Sequence, residues 1–168
     1  MVKKTLKKEM NIKLIVIALL SFFFLAILLR GLSANKIEIY GQNEGNLVKI
    51  KAKTRGRVAF ARVSFVFDPD KIRLDSEIRT NVNYSTVIEK TNAAKANEFG
   101  KGVIVIALSP FDNAPLGEYV LAEFDIRLGQ KSSLGSLAEI NFVPGDMQFV
   151  DKRVKQLNIG TRDVEISL

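Results

Sequence analysis

The stretch ARVSFVFDPDKIRL, residues 61–74, decides the fold and raises the first functional question. Apolar residues recur at every second position from Ala61 to Phe67, the period of a strand with one buried face. The alternation stops at Asp68-Pro69-Asp70 and resumes at Ile72 and Leu74. Pro69 fixes φ near −65° at the second position of a turn, and an Asp at the first position accepts hydrogen bonds from the amides that follow, so the break reads as a corner between two strands. The same carboxylates form a calcium site only if further oxygens converge, from Asp75 or from Asp112-Asn113. They make a poor glycosidase pair, because two carboxylates one residue apart are not disposed across a sugar at the roughly 5 to 9.5 Å that reaction uses.

Outward from this corner the period-two pattern repeats between turn formers. It predicts strands at 36–40, 46–54, 57–68, 71–74, 84–90, 102–109, 118–128, 136–142, 147–150 and 162–168. The separators 41–45, 112–117 and 144–146 are rich in Gly, Asn, Asp and Pro. Such a series is an all-β antiparallel sandwich. Alternation puts Ala61, Val63, Phe65 and Phe67 inside, with Phe60, Arg62, Ser64 and Val66 outside. Along 121–128 the inner set is Ala122, Phe124, Ile126 and Leu128, and the outer set is Leu121, Glu123, Asp125 and Arg127. Residues 103–108 are apolar on both sides and read as a central strand with a covered or sticky outer face. Residues 92–100, NAAKANEFG, read as a loop with one helical turn.

Upstream lies a different kind of segment. Leu14 to Leu29 is apolar except for Ser21, with Lys3, Lys4, Lys7, Lys8 and Lys13 before it and Arg30 after it. At about 1.5 Å per residue the run spans roughly 24 Å, and Lys13 and Arg30 extend it by snorkelling to the roughly 30 Å of a bilayer core. The lysine-first flank orients the N-terminus to the cytoplasm and everything after Arg30 to the outside. Residues 1–34 are therefore expected to form a cytoplasmic lysine cluster and a transmembrane signal anchor, and residues 35–168 an extracytoplasmic domain. Cleavage after Ala34 would instead release a secreted protein, but Leu32 fits a small-residue site poorly. A type IV pilin leader fails, with no Gly before the run and no Glu within its first turns.

Composition removes most chemistry. The 168 residues include no Cys, His or Trp. Thiol and Ser/His nucleophiles, imidazole acid–base catalysis and His/thiolate metal sites are excluded, no cofactor is expected, and the chain reads as a non-enzyme. The formal charge is +7, but the six basic residues named above account for most of it. From Asn35 onward 19 basic and 17 acidic residues remain, a net +2, so nucleic acid is not an expected partner.

The order of the pieces resembles the cohesin signature. ARVSFVFDPDKIRL is similar to the cohesin strand ending in an aromatic residue and Asp-Pro. GKGVIVIALS (100–109) is similar to its central strand, PLGEYVLAEFDIRL (115–128) to its Gly-then-apolar strand, and MQFVDKRVKQLNIGTRDVEISL (147–168) to its closing strands. The resemblance implies a jelly-roll, Ig-like β-sandwich of about nine strands, of the cohesin and carbohydrate-binding-module superfamily. It also implies a module built to bind another extracytoplasmic protein, dockerin-like or from the cell envelope, on one sheet face. If the strands carrying them are neighbours, Arg62, Ser64, Val66, Leu121, Glu123, Asp125 and Arg127 form that face, the alternative being a solvated charge ladder. Polysaccharide binding is the second reading; it needs exposed aromatic faces, and only Tyr40, Tyr84 and Tyr119 are candidates. A structural subunit of an envelope assembly is the third.

Overall fold

The computed structural model describes residues 19–22, 36–80, 85–108, 116–133 and 135–167. The chain divides into two units, Met1–Ala34 and Asn35–Leu168. Of the first, residues 19–22 are helical. The rest of the expected membrane segment 14–29 lies outside the described residues, among which no helix is long and apolar enough to cross a membrane.

The second unit contains twelve strands among the described residues: β1 (Lys36–Glu44), β2 (Leu47–Thr54), β3 (Val58–Phe67), β4 (Ile72–Leu74), β5 (Arg79–Thr80), β6 (Ser85–Lys90), β7 (Lys101–Leu108), β8 (Gly117–Leu128), β9 (Leu137–Phe142), β10 (Gln148–Asp151), β11 (Asn158–Arg162) and β12 (Val164–Ser167). One helix, α1 (Ala93–Phe99), joins β6 to β7, and a 3-10 turn, Pro144–Asp146, joins β9 to β10. The strands form two sheets. The first runs β11-β1-β2-β8-β4, with β5 also on β8; the second runs β12-β9-β3-β7-β6, with β10 also on β3.

The two-sheet β-sandwich agrees with the sequence expectation, but the count of about nine strands does not. Short β4 and β5 share one flank of β8, β9 and β10 share one flank of β3, and the C-terminal segment splits into β11 and β12, one in each sheet. Nor is the sandwich wholly antiparallel, because β11 pairs with β1 in parallel from Lys36↔Asn158 to Tyr40↔Arg162.

Alternation places the core as expected along β3. Ala61, Val63, Phe65 and Phe67 are buried, and Phe65 stacks across the sandwich on Phe124 of β8 at a centroid distance of 5.3 Å and 8° between planes. Gly102 of β7 sits opposite Phe65 in the ladder, where the ring occupies the space of a side chain: a Cβ there would lie 2.2 Å from the ring. Along β8 the alternation fails once. Ile50 pairs with Ala122 but Lys51 pairs with Val120, so Leu121 is the extra residue of a β-bulge. The bulge lets Leu121 and Ala122 both point inward, and Leu121, expected outside, is 0% exposed. Leu128, expected inside, is half-exposed beyond the end of the β2 ladder, where Ile72 of β4 is its pairing partner.

Candidate functional site

The corner at Asp68 is held by its own hydrogen bonds. The Asp68 carboxylate Oδ1 accepts from the Asp70 amide at 2.9 Å, and the Asp68 carbonyl accepts from the amides of Lys71 and Ile72, both at 3.0 Å. The corner is packed from two sides. The Gly100 carbonyl accepts from the Phe67 amide, and Gly100 is left-handed at φ 62° where a Cβ would meet the Phe67 carbonyl at 2.5 Å. Gly129 donates to the Lys71 carbonyl at 2.7 Å. Two of the carboxylates offered as calcium ligands already have a cation: Asp70 pairs with Lys131 at 2.6 Å and Asp75 with Arg127 at 3.2 Å. Among the described residues no group of three His, Cys, Asp or Glu side chains converges as a metal site; Asp112-Asn113 lies outside them.

The seven residues expected to form one recognition face do not share a surface. β3 and β8 belong to opposite sheets, so Arg62, Ser64 and Val66 lie on the far side of the sandwich from Glu123, Asp125 and Arg127, and Leu121 is in the core. Period-two alternation separates inside from outside but does not say which sheet a strand joins.

The β8 half is a charge ladder. Arg79 of β5, opposite Glu123 in register, reaches Glu123 at 3.5 Å and Asp125 at 3.0 Å. Lys51 bonds Glu118 at 3.2 Å, Lys49 bonds Glu44, and Arg162 stacks over the Tyr40 ring at 4.9 Å. The Arg79 guanidinium, then the Ser76 hydroxyl, hold the Asp125 carboxyl below its ordinary value. The hydrogen bond from Tyr40, then that from Lys51, does the same for Glu118. Desolvation and then the Glu118 carboxylate push Tyr40 up to about 12. The charges on this face are largely spent on one another.

The β3 half is different. By register the outer face of the second sheet carries Phe60-Ala107, Arg62-Val105, Ser64-Val103 and Val66-Lys101 as neighbouring pairs. Phe60, Val66, Val103 and Ala107 are half-buried, and Val105 is nearly covered. The 3-10 turn packs over the middle of β3: Asp146 takes the Lys101 ammonium at 2.6 Å through its carboxylate and the Arg62 guanidinium at 3.2 Å through its carbonyl. Ser64 lies between them and is 0% exposed, its hydroxyl without a hydrogen-bond partner. At the corner end of this face a cleft of about 440 Å³ is lined by Val66, Lys71, Leu137, Glu139 and Asn141, among others. Glu139 stands directly opposite Glu165 of β12, two like charges side by side.

Neither described tyrosine offers a free sugar-stacking platform. Tyr40 carries Arg162 on its ring, and Tyr119 packs against the core with its hydroxyl buried, which raises its pKa by desolvation. Tyr84 lies outside the described residues. Sequence reasoning missed Arg79, because a two-residue strand carries no periodic signal. It also under-read α1, although Asn92 caps it by accepting from the Lys95 amide and Gly100 ends it in the left-handed conformation, both visible as residue types.

No family model and no curated protein matches the chain. Among solved structures the fold is shared with cohesins. A cohesin from Clostridium acetobutylicum superposes with a TM-score of 0.59 at 15% identity, covering 80% of this chain and 92% of that one. The third ScaC cohesin of Acetivibrio cellulolyticus, in complex with the ScaB dockerin, gives 0.58 at 18% over 79% and 97%. A non-cellulosomal cohesin of the hyperthermophilic archaeon Archaeoglobus fulgidus gives 0.59 at 12% over 77% and 88%. The chain therefore has a cohesin-like fold.

Proposed function

We propose that the chain is a membrane-anchored, extracytoplasmic and non-catalytic protein-binding module of the cohesin-like kind, which holds its partner on the outer face of β9, β3, β7 and β6. The observation that carries this reading is the contrast between the two faces. One is occupied by internal ion pairs, whereas the other exposes the apolar strip Phe60, Val66, Val103 and Ala107 between Arg62, Glu139 and a cleft. A patch mixing apolar residues with both charge signs suits reversible protein recognition. The complex of the Acetivibrio cohesin with a dockerin supports a dockerin-like or envelope protein as partner. The anchor is supported by the apolar run 14–29 behind its lysines, and by Leu19, Leu20 and Phe22, all more than 60% exposed on a helical turn.

A set of dockerin modules and an envelope extract, each presented to the immobilised chain, tests the reading. Val66→Asp places a charge in the strip and should weaken capture by more than about 1 kcal/mol, while Glu123→Lys with Asp125→Lys should leave it unchanged. Loss of capture only in the second variant would move the site to the ladder face.

One observation favours the envelope-assembly reading. β6 ends its sheet with β7 as its sole partner among the described residues, and Val87 and Ile88 on it are exposed. The register shift between Val87 and Glu89 breaks that edge, however, a device that discourages strand addition.

A further inference from the structure

The domain's small net charge is unevenly placed. The parallel register Lys36↔Asn158 and the antiparallel pairs Ile37↔Thr54, Val58↔Asp151 and Thr54↔Gly117 bring three segments to one end of the sandwich. They are the entry to β1, the turn between β2 and β3, and the loop between β10 and β11. That end holds Lys36, Arg55, Arg57, Lys152, Arg153 and Lys155. Among the described residues none of the six makes an ion pair. The acids nearby are engaged: Asp151 Oδ1 accepts from the amides of Arg153 at 2.8 Å and Lys155 at 2.9 Å, and Glu118 is bonded by Lys51.

At the tip of this end stands Val154. Its φ is 60°, a left-handed conformation costly for a β-branched residue, and it is 86% exposed. The loop enforces it, since the Val154 amide donates to the Asp151 carbonyl at 3.0 Å and the Asp151 amide to the Lys155 carbonyl at 2.9 Å. A glycine would fit without strain. The fold therefore holds an apolar side chain out in water among cations, and the apolar Leu116, just before β8 at the same end, is exposed as well. Strain kept at an exposed apolar tip points to a use for that tip.

We propose that this end of the sandwich docks on an anionic lipid surface, with Val154 entering the headgroup layer and Lys152, Arg153 and Lys155 pairing with lipid phosphates. Unpaired cations around an exposed apolar apex match the two attractions such a surface offers. A basic surface reading nucleic acid single strands would carry aromatic stacking residues, and this end shows none among the described residues.

The chain has no cysteine, so Val154→Cys supplies a single thiol for a fluorophore, and Asn46→Cys, in the turn at the far end of β1, supplies the control. The full chain is added to phosphatidylcholine vesicles with or without phosphatidylglycerol, each containing a lipid with a nitroxide near its headgroup. Quenching is expected at 154 but not at 46, in the anionic vesicles alone, and is expected to vanish near 1 M salt, where the screening length is about 3 Å. Lys152→Gln, Arg153→Gln and Lys155→Gln together should lower the docking constant about a hundredfold, the sum of typical per-residue attractions, with an unchanged melting temperature. No quenching at 154 in anionic vesicles, equal quenching in neutral ones, or equal quenching at 46 would each overturn the proposal. Flotation of the chain with neutral vesicles reads the anchor separately, so failure of one is not failure of the other.

Discussion

Gly102→Ala should destabilise the domain, although a glycine inside a strand ordinarily gains from the change. Gly102 lies in β7 with no left-handed φ to protect, so on backbone grounds alanine should add about 0.5 to 1 kcal/mol of stability. The structure opposes this. The new Cβ would stand 2.2, 2.6 and 2.7 Å from three atoms of the Phe65 ring, and that ring is 0% exposed, stacked 5.3 Å from Phe124 and 6.4 Å from Phe67. It has nowhere to move without shifting the contact between the sheets. Overpacking of this kind costs about 1 to 3 kcal/mol, and more where nothing can yield, so a net loss of about 2 kcal/mol is expected. Chemical denaturation of a fragment of residues 35–168, which holds the whole core, followed by far-UV circular dichroism, measures it. With Phe65→Leu in the background the penalty should largely disappear, a coupling of about 2 kcal/mol. Stabilisation by Gly102→Ala alone would refute the reasoning, and with it the seating of Phe65 as the contact that joins the sheets.

Other perturbations separate the remaining claims. Asp68→Ala removes the acceptor of the Asp70 amide and should cost about 1 kcal/mol, while calcium should leave the melting temperature of the parent unchanged; a calcium-dependent rise lost in Asp70→Ala would make the corner a metal site. Because Asp125 is held below its ordinary value by Arg79, its contribution to stability is complete above that value and is lost as pH falls through the lower folded one. Arg79→Gln should therefore flatten the fall of stability on acidification below about pH 4, and an unchanged acid limb in an unfolding series would contradict the ladder. Val154→Asn, a residue tolerant of the left-handed region, should raise stability by about 1 kcal/mol in thermal unfolding; a loss would show that the valine packs on something.

Much of the fold was legible because its signals are local. The alternation through Ala61, Val63, Phe65 and Phe67, the Asp-Pro corner and the order of long strands follow from side-chain period and turn chemistry. What failed depends on contacts between distant segments. The β8 bulge that buries Leu121 is defined only against Lys51 and Ile50 of β2. The parallel pairing of β11 with β1 unites the two ends of the domain, and a flat segment such as Asn158–Arg162 gives no period to find it. The candidate site suffered most. Arg62 and Glu123 each pointed outward from their own strands, as alternation says, but sheet membership put them on opposite faces.

If recognition belongs to the outer face of β9, β3, β7 and β6, a bound partner should cover the amides of those strands. Amide hydrogen exchange of the chain with and without a captured partner tests it most directly. Slowed exchange is expected along β3, β7 and β9, around Val66, Val103 and Glu139, with β2 and β8 unchanged. Protection confined to β2, β8 and β5, around Lys49, Glu123 and Arg79, would contradict it.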